Sequence, residues 1–240
     1  MTDFDAIFKA YDVRGTVPDQ IDADGARDIG GAFARFVAGR GATAIVVGRD
    51  MRPDGEEFTA AFGDGALKHG VDVVDVGLCA TDMMYYASGA LGLPGAVFTA
   101  SHNPAGYNGI KMCLSHAAPI GSDTGLGDIK EMAKAGPDPT GHKGTRVERD
   151  ILDGYVAHVH SFVDINSLKP LKVVADTANG MGGLVVPAVF DGLPFTLDHM
   201  FPELDGTFPN HPADPIQPEN QRDLMARVRE TGADIGLAFD

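Results

Sequence analysis

The chain has 240 residues, with 19 lysines and arginines against 34 aspartates and glutamates, and a formal net charge of −15 at pH 7. This acidic balance disfavours nucleic acids and anionic membranes as partners. We expect the first residues not to be a signal peptide, and the apolar runs are shorter than a membrane span requires. The cysteines, Cys79 and Cys113, lie in apolar segments without a C-x-x-C motif, which disfavours a zinc site and predicts a cytoplasmic protein with reduced thiols.

The first segment, residues 4–12, predicts a strand that leads into the turn Y-D-V-R-G at positions 11–15. Arg14 would then stand at the end of a strand. Its guanidinium could be solvated there, or it could donate its fork of hydrogen bonds to an anion such as phosphate. The local sequence leaves both interpretations open.

A helix is predicted over residues 24–39, where apolar side chains recur at helical spacing on one face. The apolar run 44–48 then predicts a buried strand. It leads into Arg49, Asp50 and Arg52, in a loop at the carboxyl end of the strand, which is where open α/β sheets bind ligands. The same charges could instead form an ion cluster on the surface.

The rest of the chain alternates between helical and strand patterns. Helices are predicted over residues 56–69, 81–91, 122–135 and 150–163, from 184, and over 217–231, and strands over 71–76, 94–98, 110–114, 171–176, 195–197 and 233–239. The connection between strands 94–98 and 110–114 is too short for a parallel crossover, so an antiparallel pair is expected there. The turn-rich segment 136–141 predicts a linker. The fold class is therefore α/β, with two consecutive αβα units with mixed β-sheets, in domains 1–138 and 148–240.

Ser101 follows the buried strand 94–98 and begins a cluster of turn-forming residues. A serine at a strand end, followed by His102 and with Lys111 nearby, is suited to phosphoryl or acyl transfer. The G-x-S-x-G turn of acyl-transfer enzymes is absent, which favours the phosphoryl interpretation. An ordinary turn without chemistry is an equally good interpretation of the local sequence.

Longer strings connect this serine to other parts of the chain. They are T-A-S-H-N-P at 99–104 with Y-N-G-x-K at 107–111, Y-D-x-R-G at 11–15, G-R-D-x-R at 48–52 and D-G-x-F-P-N-H at 205–211. Together they resemble the α-D-phosphohexomutases, the phosphomannomutase and phosphoglucomutase family. The resemblance covers the whole chain but only the first two of the family's four domains. Asp54-Gly55 stands where relatives often have Ser-Gly.

The resemblance implies an isomerase that moves a phosphoryl group between O1 and O6 of a hexose phosphate, through a phosphoserine and a sugar 1,6-bisphosphate. Ser101 would carry the phosphoryl group. Arg14 and Lys111 would contact it as cations, with Lys111 also a general acid or base. His102 would position the nucleophile or shuttle a proton.

The resemblance also implies supporting and metal-binding roles. The residues expected to bind the substrate or to support the loops of the site are Tyr11, Arg49, Asp50 and Asn103. Asp240 matches the first aspartate of the family's D-G-D-x-D loop, which holds Mg²⁺ beside the phosphoserine. The expected metal ligands are therefore Asp240 and the phosphate of Ser101.

The expected partners are mannose or glucose phosphates, their 1,6-bisphosphates, and the C-terminal domains that complete the family's site. Two alternatives stay open. One is a phosphoglucosamine mutase of the same family, because the sugar-recognition loop lies outside this sequence. The other is a non-catalytic sugar-phosphate-binding protein. With two expected metal ligands only, the 240-residue chain is expected to be inactive by itself.

Overall fold

The computed structural model describes residues 2–138 and 141–240. Residues 139–140 of the predicted linker and residue 1 of the predicted first domain lie outside the described residues. The chain folds into two compact units. The first contains the described residues up to Ala100 and those of Gly106–Ile151, and the second contains Ser101–Ala105 and Leu152–Asp240. The domain bounds 1–138 and 148–240 stay a prediction.

Within the described residues, helices and strands alternate along both units. The α-helices are α1 (Phe4–Ile7), α2 (Ala23–Ala38), α3 (Gly55–Lys68), α4 (Thr81–Leu91), α5 (Gly127–Ala135), α6 (Leu152–His160), α7 (Gly182–Phe190) and α8 (Arg222–Thr231). The strands are β1 (Val13–Thr16), β2 (Ala44–Arg49), β3 (Asp72–Leu78), β4 (Gly95–Phe98), β5 (Tyr107–Leu114), β6 (Ala118–Pro119), β7 (Arg146–Glu148), β8 (Leu171–Asp176), β9 (Phe195–Met200) and β10 (Ile235–Ala238). None of the described helices combines the length and the apolar character that crossing a membrane requires.

The sheet of the first unit has seven strands in the order β1-β5-β4-β2-β3-β7, with β6 paired to β5. Strand β2 is parallel to β3 and β4, whereas β5 is antiparallel to both β4 and β1. The short connection from β4 to β5 enforces this return, because a parallel crossover needs a dozen or more residues. The predictions of an antiparallel pair and of a mixed sheet are confirmed here.

Helices cover both faces of this sheet. Asp22 caps α2 by accepting a hydrogen bond from the amide of Gly25, at 2.7 Å. The apolar face of α2 then packs with α3, α5 and one face of the sheet into a core that includes Phe33, Phe62 and Phe98. Helix α4 contacts β2, β4 and β5 on the other face, because alternate residues of a strand point to opposite sides.

Two elements of the first unit differ from the predictions. Residues 4–7 form a helix and not a strand, because Asp3 accepts hydrogen bonds from the amides of Asp5 and Ala6. Arg14 consequently lies within β1 and not at a strand end. Strand β7 was not predicted, since its three exposed residues show no apolar pattern. It pairs in parallel with β3.

The sheet of the second unit has the order β10-β8-β9. Its described strands are all parallel, so the mixed pairing predicted for both units is found only in the first. The helix predicted over 217–231 is a 3₁₀ turn at Pro218–Gln221 followed by α8. Leu224 of α8 packs on Val174 and Met200 in a small apolar cluster.

Both cysteines lie in the first unit and are fully buried, Cys79 just after β3 and Cys113 in β5. Burial raises the pKa of the Cys79 thiol to about 12 and also raises the pKa of Cys113. Because the thiolate is the reactive form, neither thiol is poised for chemistry in the folded unit.

A close contact between α2 and α3 generates the first prediction. A Cβ added at Gly30 would overlap the carbonyl oxygen of Phe62, so the Gly30→Ala variant must force the two helices apart. We expect the substitution to lower the free energy of unfolding by about 1–3 kcal/mol. Urea unfolding followed by circular dichroism measures the change.

Gly89→Ala is the matched control, because a Cβ at this position in α4 would meet nothing within 4 Å. We expect it to leave stability unchanged or to raise it by about 0.5–1 kcal/mol, as alanine in a helix usually does. Equal effects of the two variants would contradict the packing argument.

Candidate active site

The segment around Ser101 is held at both of its ends by the first sheet. Before it, the amide of Thr99 donates to the carbonyl of Gly109 in β5, at 3.0 Å. After it, the carbonyl of Gly106 accepts from the amide of Val17, just beyond β1, at 2.9 Å. The loop therefore leaves and re-enters the sheet at fixed points.

Ser101 itself has a left-handed backbone, with φ of 49°. A non-glycine residue rarely adopts this conformation, and such strain concentrates at functional sites. Within the second unit, the Ser101 hydroxyl donates to the Asp240 carboxylate, at 2.8 Å to Oδ1 and 3.0 Å to Oδ2. His102 Nδ1 lies 3.4 Å from the hydroxyl oxygen and 3.4 Å from Asp240 Oδ2. The structure thus brings together three of the predicted site residues.

The two predicted cations form a separate cluster in the first unit. Arg14 of β1 lies opposite Gly109 of β5, and Lys111 is two residues further along β5. The Asp12 carboxylate joins the two cations, since its Oδ2 accepts from Arg14 Nη2 at 2.7 Å and from Lys111 Nζ at 3.1 Å. Sequence reasoning did not select Asp12, although it stands inside the Y-D-x-R-G string.

Asp50 braces the loop after β2, and it does so through Arg52. Both side chains are buried, and the Asp50 carboxylate accepts the Arg52 amide at 2.9 Å and lies 3.4 Å from Arg52 Nε. Arg52 also donates to the carbonyl of Tyr107 at 2.7 Å, which ties this loop to the start of β5. Burial raises the pKa of Asp50, although hydrogen bonds from Arg52 and Thr99 act against the rise.

Three further predicted residues take different places. Arg49 pairs loosely with Glu56, at 3.6 Å, and lines a cavity of about 590 Å³ beside β3 and β7 that does not include Arg14 or Lys111. Tyr11 is 80% exposed. Asn103 lies in the Ser101 loop and is half-buried.

The oxygen atoms at Ser101 and Asp240 are the positions that could hold a metal. A serine phosphate and a carboxylate offer only oxygen ligands, which suits a hard divalent cation. Among residues 2–138 and 141–240, however, no three His, Cys, Asp or Glu side chains converge as a metal site of their own. A metal at this position would need further ligands, such as water or substrate.

The D-G-x-F-P-N-H loop, to which the sequence assigned no chemistry, is fastened to the end of β8. His211 Nε2 lies 2.9 Å from Asp176 Oδ2, and Nδ1 lies 2.8 Å from the carbonyl oxygen of Pro212. Burial alone would lower the pKa of His211, but the Pro212 carbonyl and the Asp176 carboxylate raise it overall. The Asp176 carbonyl accepts from the amide of Phe239 at 3.0 Å, next to Asp240.

Together, the mixed first sheet, the serine with a left-handed backbone after β4 and the two cations on β1 and β5 are features of an α/β protein. The family description "Phosphoglucomutase/phosphomannomutase, alpha/beta/alpha domain I" matches residues 5–137, and that of domain II matches residues 153–240. The chain belongs to the phosphoglucomutase/phosphomannomutase family.

Individual relatives agree with this assignment. The chain is 39% identical over 243 residues to a phosphomannomutase of Escherichia coli, which covers 97% of this chain and 53% of the relative. It is 38% identical over 240 residues to a phosphoglucomutase of Neisseria meningitidis serogroup B, covering 98% of this chain and 50% of the relative. The chain spans about half the length of the curated relatives it matches.

A solved structure extends the comparison to the fold. The X-ray structure of a phosphoglucomutase/phosphomannomutase family protein from Burkholderia thailandensis is similar to the whole chain, with a TM-score of 0.90 and 38% sequence identity. The match covers 100% of this chain and 53% of that protein. The predicted family and α/β fold are confirmed.

The His211 contacts generate a pH-dependent prediction. The folded-state pKa of His211 is raised above that of an unfolded histidine, so its protonated form stabilises the fold. This stabilisation is fully present below about pH 6.5, and it is lost as the pH rises through the raised folded-state value. The charged groups that act on His211 are Asp176 and Asp223.

We therefore expect His211→Gln to lower the free energy of unfolding by about 1–3 kcal/mol below pH 6.5, with a smaller difference from wild type at higher pH. Urea unfolding at a series of pH values measures both effects. The control is His142→Gln, at an exposed position. A His211→Gln effect that is constant across the series, or equal to that of the control, would contradict the assignment.

Proposed function

We propose that this chain carries the phosphoserine site of a phosphohexomutase, an isomerase that moves phosphate between O1 and O6 of a hexose phosphate. Phosphorylated Ser101 would transfer its phosphoryl group to the free O1 or O6 of a hexose phosphate, which gives the 1,6-bisphosphate. After the bisphosphate turns over in the site, the unphosphorylated Ser101 would take back the other phosphoryl group. The observation that carries this proposal is the strained Ser101, whose hydroxyl lies 2.8 Å from the Asp240 carboxylate. Membership in the family supports it.

In the proposed step, the bond between phosphorus and the sugar oxygen breaks as a bond between phosphorus and Ser101 Oγ forms. The serine proton must leave, and the proposed acceptor is His102 Nδ1, which lies 3.4 Å from Oγ. The departing sugar oxygen would take a proton from Lys111. The reverse transfer would use the same groups in opposite roles.

Positive charge must offset the negative charge of the transferring group. Arg14 and Lys111 are the proposed contacts, and their common partner Asp12 already holds the two cations together. Asp50 and Asn103 would support the loops around the site, Asp50 through its buried contact with Arg52.

We propose Mg²⁺ as the metal, held by Asp240 and the phosphate on Ser101. The fit follows from charge, because a phosphate on Ser101 would stand next to the Asp240 carboxylate, and the two anions would repel each other without a cation. When bound, Mg²⁺ would neutralise negative charge on the transferring phosphoryl group.

The proposed substrates are mannose or glucose phosphates with their 1,6-bisphosphates. The similar proteins include a phosphomannomutase at 39% identity and a phosphoglucomutase at 38%, so identity favours neither sugar. A phosphoglucosamine mutase of the same family is the alternative. The cytoplasmic location stays a prediction from the reduced, buried thiols.

Phosphorylation of the chain itself tests the nucleophile. Incubated with Mg²⁺ and glucose 1,6-bisphosphate, the wild-type chain should gain the mass of one phosphoryl group, and peptide mass spectrometry should place it on Ser101. We expect the Ser101→Ala variant to gain none, because the accepting hydroxyl is absent. Intact mass spectrometry measures both.

Ser122→Ala is the control, since Ser122 also donates its hydroxyl to a carboxylate, that of Asp123 at 3.3 Å. It should be phosphorylated as fully as the wild type. A Ser101→Ala variant that is still phosphorylated, or a wild-type chain phosphorylated at another residue, would falsify the assignment of Ser101.

Turnover is a separate question, because the chain spans about half the length of its relatives. We expect the 240-residue chain, assayed alone, to accept a phosphoryl group but to show no measurable mutase turnover, since its described residues supply few metal ligands. A coupled assay with mannose 1-phosphate or glucose 1-phosphate measures this. The E. coli phosphomannomutase is the positive control, and comparable rates would contradict the expectation.

A further inference from the structure

One carboxylate oxygen in the first unit serves two cations. Asp12 Oδ2 accepts from Arg14 at 2.7 Å and from Lys111 at 3.1 Å. The side chains are only 12%, 17% and 26% exposed for Asp12, Arg14 and Lys111, respectively. Water therefore screens these contacts less than it screens ion pairs on an open surface.

The strand register explains why the three groups meet. Arg14 lies directly opposite Gly109, and Lys111 is two residues further along β5, so Arg14 and Lys111 project from the same face of the sheet. Asp12 precedes Arg14 by two residues and lies immediately before β1. Gly109 adds no side chain between the cations. The carboxylate is thus the group that links them.

The charges of this trio do not cancel. Two cations and one anion leave a single net positive charge, whereas a phosphoryl group bound there would carry up to two negative charges. Without Asp12, the pair would attract an anion more strongly but would repel each other. A shared carboxylate therefore opposes tight binding while it favours one fixed arrangement of the cations.

We infer that Asp12 is a positioning residue of the transfer step. It holds Arg14 and Lys111 in one arrangement, so that a phosphate is oriented between them. It also offsets one of their two positive charges, so that the phosphate binds less tightly than it would to two cations without Asp12. The inference rests on the proposed function, because that function places a phosphoryl group against Arg14 and Lys111.

The decisive variant is Asp12→Asn, which removes the charge and keeps the size. We expect its dissociation constant for inorganic phosphate, measured by isothermal titration calorimetry, to fall about three- to tenfold, since the net charge rises by one. The gain should shrink in added salt. The single-turnover rate of Ser101 phosphorylation at saturating glucose 1,6-bisphosphate should fall at least about tenfold, because the cations lose their fixed arrangement.

A purely structural role gives another pattern. If Asp12 only stabilised the strand, Asp12→Asn would weaken phosphate binding and slow phosphorylation together. That result overturns the inference. The inference is also overturned if Asp12→Asn does not increase the affinity for phosphate, or if it leaves the rate of Ser101 phosphorylation unchanged. Phosphate binding is assigned to the Arg14 and Lys111 pair if Lys111→Met weakens it in both the wild-type and the Asp12→Asn background. If Lys111→Met has no effect on the tightened binding, the inference is also overturned.

Two more variants complete the design. Asp12→Glu keeps the charge, so its phosphate affinity should stay within about twofold of the wild type, with a rate above that of Asp12→Asn. Asp5→Asn is the matched control, because Asp5 also bridges two cations, Lys130 at 3.0 Å and Lys134 at 2.7 Å. It should change neither quantity. An Asp5→Asn variant that reproduces the Asp12→Asn pattern overturns the inference.

The two proposals fail in different ways. If the wild-type chain is not phosphorylated, the proposed function fails, while the phosphate-binding measurements still test whether Asp12 offsets the charge of Arg14 and Lys111. If the wild type is phosphorylated at Ser101 but Asp12→Asn behaves like the wild type, the function stands and the role of Asp12 is overturned.

Discussion

The antiparallel return of β5 between β1 and β4 is the constraint on which the first unit depends. The short connection from β4 reverses the chain, and the register then places Arg14 opposite Gly109. The backbone comes so close there that a Cβ on Gly109 would overlap the carbonyl of Val13 and lie 2.9 Å from that of Thr99. One strand thus fixes both the ends of the serine loop and the spacing of the cations.

Much of this arrangement was predictable from sequence, because it depends on local patterns. The apolar periodicity of α2 and the apolar runs of β2 and β4 identify buried elements wherever they occur. The length of the connection after Phe98 decides the direction of β5. The long T-A-S-H-N-P string is what distinguishes Ser101 from the other serines of the chain as the candidate nucleophile. Each of these signals lies within a single stretch of sequence.

Other features depend on partners that are distant in sequence. Asp12 meets Lys111 only after β1 and β5 pair, and Arg52 reaches the Tyr107 carbonyl only because β2 and β5 flank β4. The Arg49 side chain points towards Glu56 on the following helix. Strand β7 is held by backbone pairing with β3 and carries no apolar signal. The direction of a side chain and the pairing of an edge strand depend on contacts that exist only in the folded protein, so a local sequence pattern does not predict them.

The buried cysteines have a practical consequence for studying the two units separately. Both thiols of the chain belong to the first unit, and burial keeps them protonated and out of contact with solvent. A thiol reagent can therefore label the native protein only when the first unit opens locally or unfolds. The labelling rate thus measures how often that unit opens. The second unit contains no cysteine and is not labelled in such an experiment. The labelling rate therefore reports the opening of the unit that contains Arg14 and Lys111 separately from that of the second unit.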